Sequence, residues 1–237
     1  MTAAACDTHM HFYNDRYPAA SGPVLRPPNA TVADYRAVQR QLNLQRVVVV
    51  QPTTYGLDNS CQLDAMKRLG DQARGVVVVN STISSAEITD LHERGVRGVR
   101  FHMLPGGAVD WDQLAPVSRA VAEFGWHVQL QMNGHDLAER AADLRSLPVD
   151  LVIDHVGRFM PPSAPTSEAV KTFLRLVEGG AWVKLSAPYE SATDASHRYK
   201  VVSSLVDRLI ELRPDRMLWA TNWPHPGQQD PPSVATL

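Results

Sequence analysis

Several things are scarce in this sequence, and each scarcity narrows what the chain can be. Cysteine occurs only twice in 237 residues, at Cys6 and Cys61, with no CxxC spacing. That excludes a disulfide framework and points to a reducing compartment. No charged leader followed by a long apolar stretch opens the chain, and its longest apolar runs, such as Val47–Val50 and Val76–Val79, fall far short of a bilayer span. Neither sign of charge dominates: 23 Lys and Arg stand against 25 Asp and Glu, a formal charge of −2. A nucleic-acid-binding surface or an acidic tail is therefore not expected. What is left is a cytoplasmic protein without membrane or nucleic-acid partners, in which affinity for anions must come from a local cluster.

Hydrophobic residues make up 44% of the chain, enough for one large domain with a sizeable core. Short Val- and Ile-rich runs alternate with longer amphipathic stretches, the pattern of a parallel α/β fold. Strands are expected at Ala5–His9, Arg46–Gln51, Gly75–Asn80, Gly98–His102, Trp126–Gln131, Leu151–His155, Trp182–Ser186 and Met217–Thr221. One helix follows Thr31, a plausible N-cap, and others centre near Asp58–Leu69, Ser85–Arg94, Asp112–Phe124, Asp136–Leu147, Ser167–Glu178 and Ser196–Leu212. Gly95, Gly125 and Gly179–Gly180 each stand where a helix would end.

Strict alternation of this kind reads as a (β/α)8 TIM barrel, with residues 1–237 forming one domain. A doubly wound open sheet is the competitor, but it would normally carry a Gly-rich phosphate loop after its first strand, and none is present. An eighth helix is also missing. Four prolines in P-H-P-G-Q-Q-D-P-P forbid a long one, so the last helix is short or absent and the barrel reads as cut off after strand 8. Apolar surface near strands 8 and 1 then lies open or is covered by a partner, which admits a homo-oligomer.

Reactive groups of such a barrel sit at the C-terminal ends of its strands. D-T-H-M-H ends strand 1 and turns His9 and His11 to one side, where they can hold a divalent metal or hydrogen-bond a carbonyl. V-I-D-H-V-G-R ends strand 6. His155 shares the face of Ile153 and is expected at the mouth, Asp154 alternates away, and Arg158 offers a carboxylate clamp; a helix-capping Asp beside a surface His is the plainer alternative. Arg100 and His102 share parity on strand 4, followed by Pro105-Gly106-Gly107, a mobile lid or a simple turn. Strand 5 offers Gln129 and Gln131, and strand 7 offers Lys184, Ser186 and Tyr189, with Lys184 equally readable as a snorkelling surface lysine. W-A-T-N-W-P-H closes the series with Asn222 and His225.

Taken together, D-T-H-M-H, G-V-R, D-H-V-G-R, K-L-S with Y-E, and W-A-T-N-W-P-H resemble the amidohydrolase superfamily in its amidohydrolase-related lactonase branch, over essentially the whole chain. The resemblance implies action on the lactone ring of an anionic, sugar-diacid-like substrate. In that branch strand 8 usually carries an Asp that activates water; here Asn222 stands in its place, and an amide cannot accept that proton. Metal-binding members further use a strand 5 His, where Gln129 or Gln131 stands. A metal at His9, His11 and His155 is thus set behind a cofactor-free site. By the resemblance, His9, His11 and Arg100 polarise the carbonyl, and His155 moves a proton. Arg158, Lys184 and Tyr189 hold the free carboxylate, with His102, Gln131 and His225 completing the substrate contacts, and Asn222 orients a hydroxyl. Isomerisation between 1,5- and 1,4-lactones comes first. The alternatives are a metal-independent lactone hydrolase, a metal-dependent decarboxylase and a non-catalytic binding barrel.

Overall fold

The valine-rich runs become strands because both faces of a barrel strand are covered, so an uninterrupted apolar run is tolerated there. In a computed structural model describing residues 4–22, 24–191 and 198–234, eight parallel strands pair in chain order β1 to β8. They are β1 Cys6–Met10, β2 Arg46–Val50, β3 Ala73–Val77, β4 Val96–His102, β5 His127–Gln131, β6 Leu151–Ile153, β7 Trp182–Leu185 and β8 Met217–Trp219. Seven α-helices alternate with them: α1 Val32–Gln41, α2 Ser60–Leu69, α3 Ser85–Glu93, α4 Leu114–Ala122, α5 Leu137–Arg145, α6 Glu168–Glu178 and α7 Arg198–Leu212. The sequential parallel order is that of a (β/α)8 barrel and excludes the doubly wound sheet. The start expected for the last helix, Ser196, lies outside the described residues.

Local chemistry sets the helix ends. Thr31 caps α1 in a capping box with Asp34, and Ser84 caps α3 the same way with Glu87. Gly95, Gly125 and Gly180 take positive φ just past α3, α4 and α6, whereas Gly179 keeps a right-handed φ of −71°. Between helices and strands lies the core: Val99, Phe101, Val128, Leu130 and Val183 are at most 1% exposed, as are Val117, Val121, Phe173 and Val177 from the helices. Each such side chain contributes about 1.5–3 kcal/mol on burial. Gly98 leaves room for the His127 ring: a Cβ there would lie 2.6 Å from it, so the ring would have to shift.

Four strands differ from expectation by two residues or more, β4 by starting at Val96 and not Gly98. β3 starts at Ala73 and ends at Val77, earlier than Gly75–Asn80; β6 stops at Ile153 and not His155; β8 stops at Trp219 and not Thr221. The last two are cut short because the chain turns into left-handed conformations at His155 and Asn222. Closure onto β1 consequently comes from residues beyond β8: Asn222 N donates to His9 O at 2.9 Å, and His11 N donates to Trp223 O at 2.8 Å. Asp7 clasps the same seam, accepting from Thr221 N and Oγ1, Tyr35 Oη and His9 N. Among the described residues no α-helix follows β8.

Candidate active site

Register decides which side chains enter the barrel. The β1–β2 pairing slips between Asp7 and Met10, which sends Asp7 to Tyr35 on α1 while His9 points inward. His9 and His11 then face one another, Nε2 to Nε2 at 3.2 Å. His11 Nδ1 lies 2.8 Å from Val50 O, an acceptor only, so that nitrogen carries the proton. The other ring nitrogen of His9, Nδ1, has Asp154 Oδ1 at 3.2 Å. It faces Gln129 Nε2 at 3.2 Å and Lys184 Nζ at 3.4 Å. Burial lowers both rings, His9 well below the ordinary value and His11, with Arg100 nearby, to about 3.

Strand 6 carries the main correction. Val152 pairs in register with Gln129, so Asp154, which had been expected to alternate away, continues the inward face. It is 1% exposed; its Oδ2 accepts from Gln129 Nε2 at 3.0 Å, and its Oδ1 stands 3.2 Å from His9 Nδ1. His155 reaches the cavity by another route, through left-handed backbone at His155 and Val156 after the strand has ended. Its Nδ1 lies 2.9 Å from Ser186 Oγ. Among the described residues, the non-glycine positions with positive φ other than Asn43 gather around this site: His155, Val156, Arg158, Ala187, Asn222 and His225. Strained backbone of this kind gathers where side chains must be aimed.

Of the residues singled out from the sequence, His11, Arg100, His102, Gln131, His155, Arg158 and Asn222 line one cavity of about 210 Å³. Arg100 donates to Gln51 O at 2.8 Å and Gln131 Oε1 at 2.6 Å, and His102 Nδ1 lies 3.2 Å from the same Gln131 oxygen. Tyr189 and His225 stand behind Asn222: the amide Nδ2 donates to Tyr189 Oη at 2.8 Å, and that hydroxyl meets His225 Nδ1 at 3.0 Å. Asn222 Oδ1 is buried with no hydrogen-bond partner. His9 and Lys184 sit beneath the cavity and not on its wall. Lys184 neither snorkels nor reaches the mouth; it is 2% exposed and donates to Thr8 O at 2.7 Å and Gln129 Oε1 at 2.6 Å. Burial lowers its pKa to about 8 against the pull of Asp154. Glu190, part of the Y-E motif but given no role from the sequence, lines the cavity with its Oε2 2.9 Å from Arg158 Nε.

His9, Asp154 and His155 offer ligand atoms within 4.8 Å of one another, the one group that could take a metal among the described residues. Fixed charges crowd this set, while Asp154 Oδ1 is buried without a hydrogen-bond partner. Lys184 Nζ and Arg100 Nε each lie 3.9 Å from Asp154, so two fixed cations already hold that carboxylate. Burial alone would raise Asp154, yet His9 and Lys184 outweigh it and keep the carboxyl well below the usual range. Arg100 and Lys184 are set against Asp154, with Asp7 also acting on Lys184, and Arg158 against Glu190.

An eight-stranded parallel barrel with a buried histidine pair on strand 1, an Asp-His on strand 6 and a polar residue after strand 8 defines an amidohydrolase-type scaffold. A family model described as Amidohydrolase matches residues 6–236, and the chain belongs to that family. It is 35% identical over 244 residues to a 2-pyrone-4,6-dicarbaxylate hydrolase of Comamonas testosteroni, an alignment covering 97% of this chain and 80% of that protein. It is 31% identical to the D-galactarolactone isomerase of Agrobacterium fabrum, over 93% of this chain and 76% of that one. An apo crystal structure from Agrobacterium tumefaciens superimposes with a TM-score of 0.91 at 30% identity, covering 98% of this chain and 85% of that one.

Proposed function

We propose that this protein acts on the ring of a lactone bearing one free carboxylate, and that it passes the acyl group to a hydroxyl of the same molecule, interconverting 1,5- and 1,4-lactones of a sugar diacid. The observation that carries the reading is Asn222: a buried carboxamide, one end tied to Tyr189 and the other unpaired in a cavity. Its Oδ1 can accept a hydrogen bond from a hydroxyl and so aim it, but it cannot take the proton that water must lose. Intramolecular transfer needs no water. Holding the hydroxyl against the carbonyl supplies several kcal/mol, up to about 7–11 for well-oriented reactants.

Ser186 can donate to His155 Nδ1, which leaves the ring proton on Nε2 to be offered to the carbonyl oxygen. Arg100, buried and fixed by two acceptors, adds a second donor whose orientation requires no reorganisation as charge develops. Arg158, a guanidinium on the cavity wall, is the clamp for the substrate carboxylate. Names of relatives point the same way, toward lactones of organic acids. The reading places the protein in the cytoplasm, working on a small anion without a metal.

Hydrolysis is the second reading, favoured by the strand 1 histidine pair and by the identity to the pyrone hydrolase. Following galactaro-1,5-lactone by NMR separates the two. Accumulation of the 1,4-lactone ahead of open diacid supports isomerisation; diacid appearing first rejects it.

A further inference from the structure

The reaction proposed above moves one proton from the attacking hydroxyl to the departing ring oxygen, and the groups facing the cavity differ in their ability to carry it. Asn222 is an amide. His11 has both ring nitrogens engaged, on Val50 O and His9. His102 is fixed to Gln131 and is held to about 3 by burial and Arg100. Asp154 and Asp7 do not line the cavity; the first is matched by Lys184 and Arg100, and the second is spent on the barrel seam. Among the described residues Glu190 is the one carboxylate on the cavity wall.

Its placement is specific. Arg158 Nε donates to one oxygen at 2.9 Å, and the two side chains are 21% and 22% exposed, open enough to meet a ligand. Glu190 follows Tyr189 in the one-turn segment Pro188–Ser191, and Tyr189 takes the Asn222 amide hydrogen, so one short turn supports both groups. The charged and titratable groups that face Glu190 are Arg158, Arg100 and His155. A carboxylate in a pocket for an anion weakens binding of that anion by like-charge repulsion. Its presence there calls for a role in the chemistry.

Resting on the lactone reading, we propose that Glu190 is the group that accepts and returns the proton. The O–H bond of the attacking hydroxyl breaks as its oxygen bonds to the carbonyl carbon, and the proton passes to Glu190. When the adduct collapses, the ring C–O bond breaks and Glu190 gives that proton to the departing oxygen. The carboxylate is regenerated, so no other reactant is consumed.

Glu190→Gln tests the role, because glutamine still accepts from Arg158 but cannot take a proton. Assayed on galactaro-1,5-lactone, the variant is expected to lose about 10²–10⁴-fold in kcat with KM nearly unchanged, and to lose the acid-side decline of kcat. A kcat within about threefold of wild type, or a loss confined to KM with the wild-type pH profile, overturns the proposal and leaves Glu190 as a positioning residue for Arg158. Glu190→Asp keeps a carboxylate and is expected to retain the acid-side decline at reduced kcat; if the glutamine variant does not fold, an aspartate variant lacking that decline overturns the proposal. Wild-type protein that converts neither lactone overturns the lactone reading together with this role. Wild-type turnover with a fully active Glu190→Gln overturns this role alone.

Discussion

Replacing Lys184 by methionine probes the charge balance beneath the site. The two side chains are similar in length and volume, so little cavity is opened. What is removed is an ammonium, 2% exposed, that donates to Thr8 O and Gln129 Oε1 and lies 3.9 Å from Asp154 Oδ1. Removing one partner of a buried ion pair costs about 3–5 kcal/mol, because the other charge is left in a medium that solvates it poorly. Arg100 remains 3.9 Å from Asp154, which places the expected loss near the lower end, about 3 kcal/mol. For a chain of this size that corresponds to a fall in Tm of roughly 6–12 °C. Thermal and urea unfolding read the loss directly. The double variant Lys184→Met, Asp154→Asn is expected to recover part of it, since the stranded charge goes too. A single variant within about 0.5 kcal/mol of wild type would show that Lys184 does not balance Asp154.

Asn222→Asp turns the amide into a carboxylate at the position where the family usually has its base, with Tyr189 now donating to it. We expect release of open diacid to rise by about 10²-fold or more, measured by NMR; no new acid release would contradict the assignment of Asn222. Stability should also fall on the acid side of neutrality. His11 and His225 are buried neutral with values of about 3 and about 4 against an ordinary 6.5, so the unfolded chain binds protons that the folded chain refuses. Their contribution is fully present above pH 6.5 and is lost as pH falls toward those values, about 1.4 kcal/mol per pH unit for each histidine. A urea midpoint that stays level between about pH 7 and pH 5 would refute it.

Much of the barrel could be read from residues alone. Val47–Val50 and the Thr31 cap gave both an element and its boundary, because burial and capping are local demands. The convergence of His11, Arg100, His155, Arg158 and Asn222 followed from their places at or beyond the C-terminal ends of strands 1, 4, 6 and 8. Asp154 escaped because its face depends on the register of β6 against β5, and because left-handed residues after Ile153 break the period-two rule that had paired His155 with Ile153. Lys184 was equally readable as surface or pocket; only three-dimensional neighbours bury it under His9. Glu190 is one glutamate in a short turn, with no periodicity or spacing to mark it, and its meaning comes from Arg158 across the cavity. The clasp made by Asp7 likewise joins residues more than 200 positions apart in the chain.

The decisive measurement is the fate of solvent oxygen. With galactaro-1,5-lactone in heavy-oxygen water, transfer to the substrate's own hydroxyl gives 1,4-lactone without label while open diacid stays at the uncatalysed level. Open diacid formed at the enzymatic rate and carrying one solvent oxygen would show that water is the acceptor, and that Asn222 does not keep it out of the reaction.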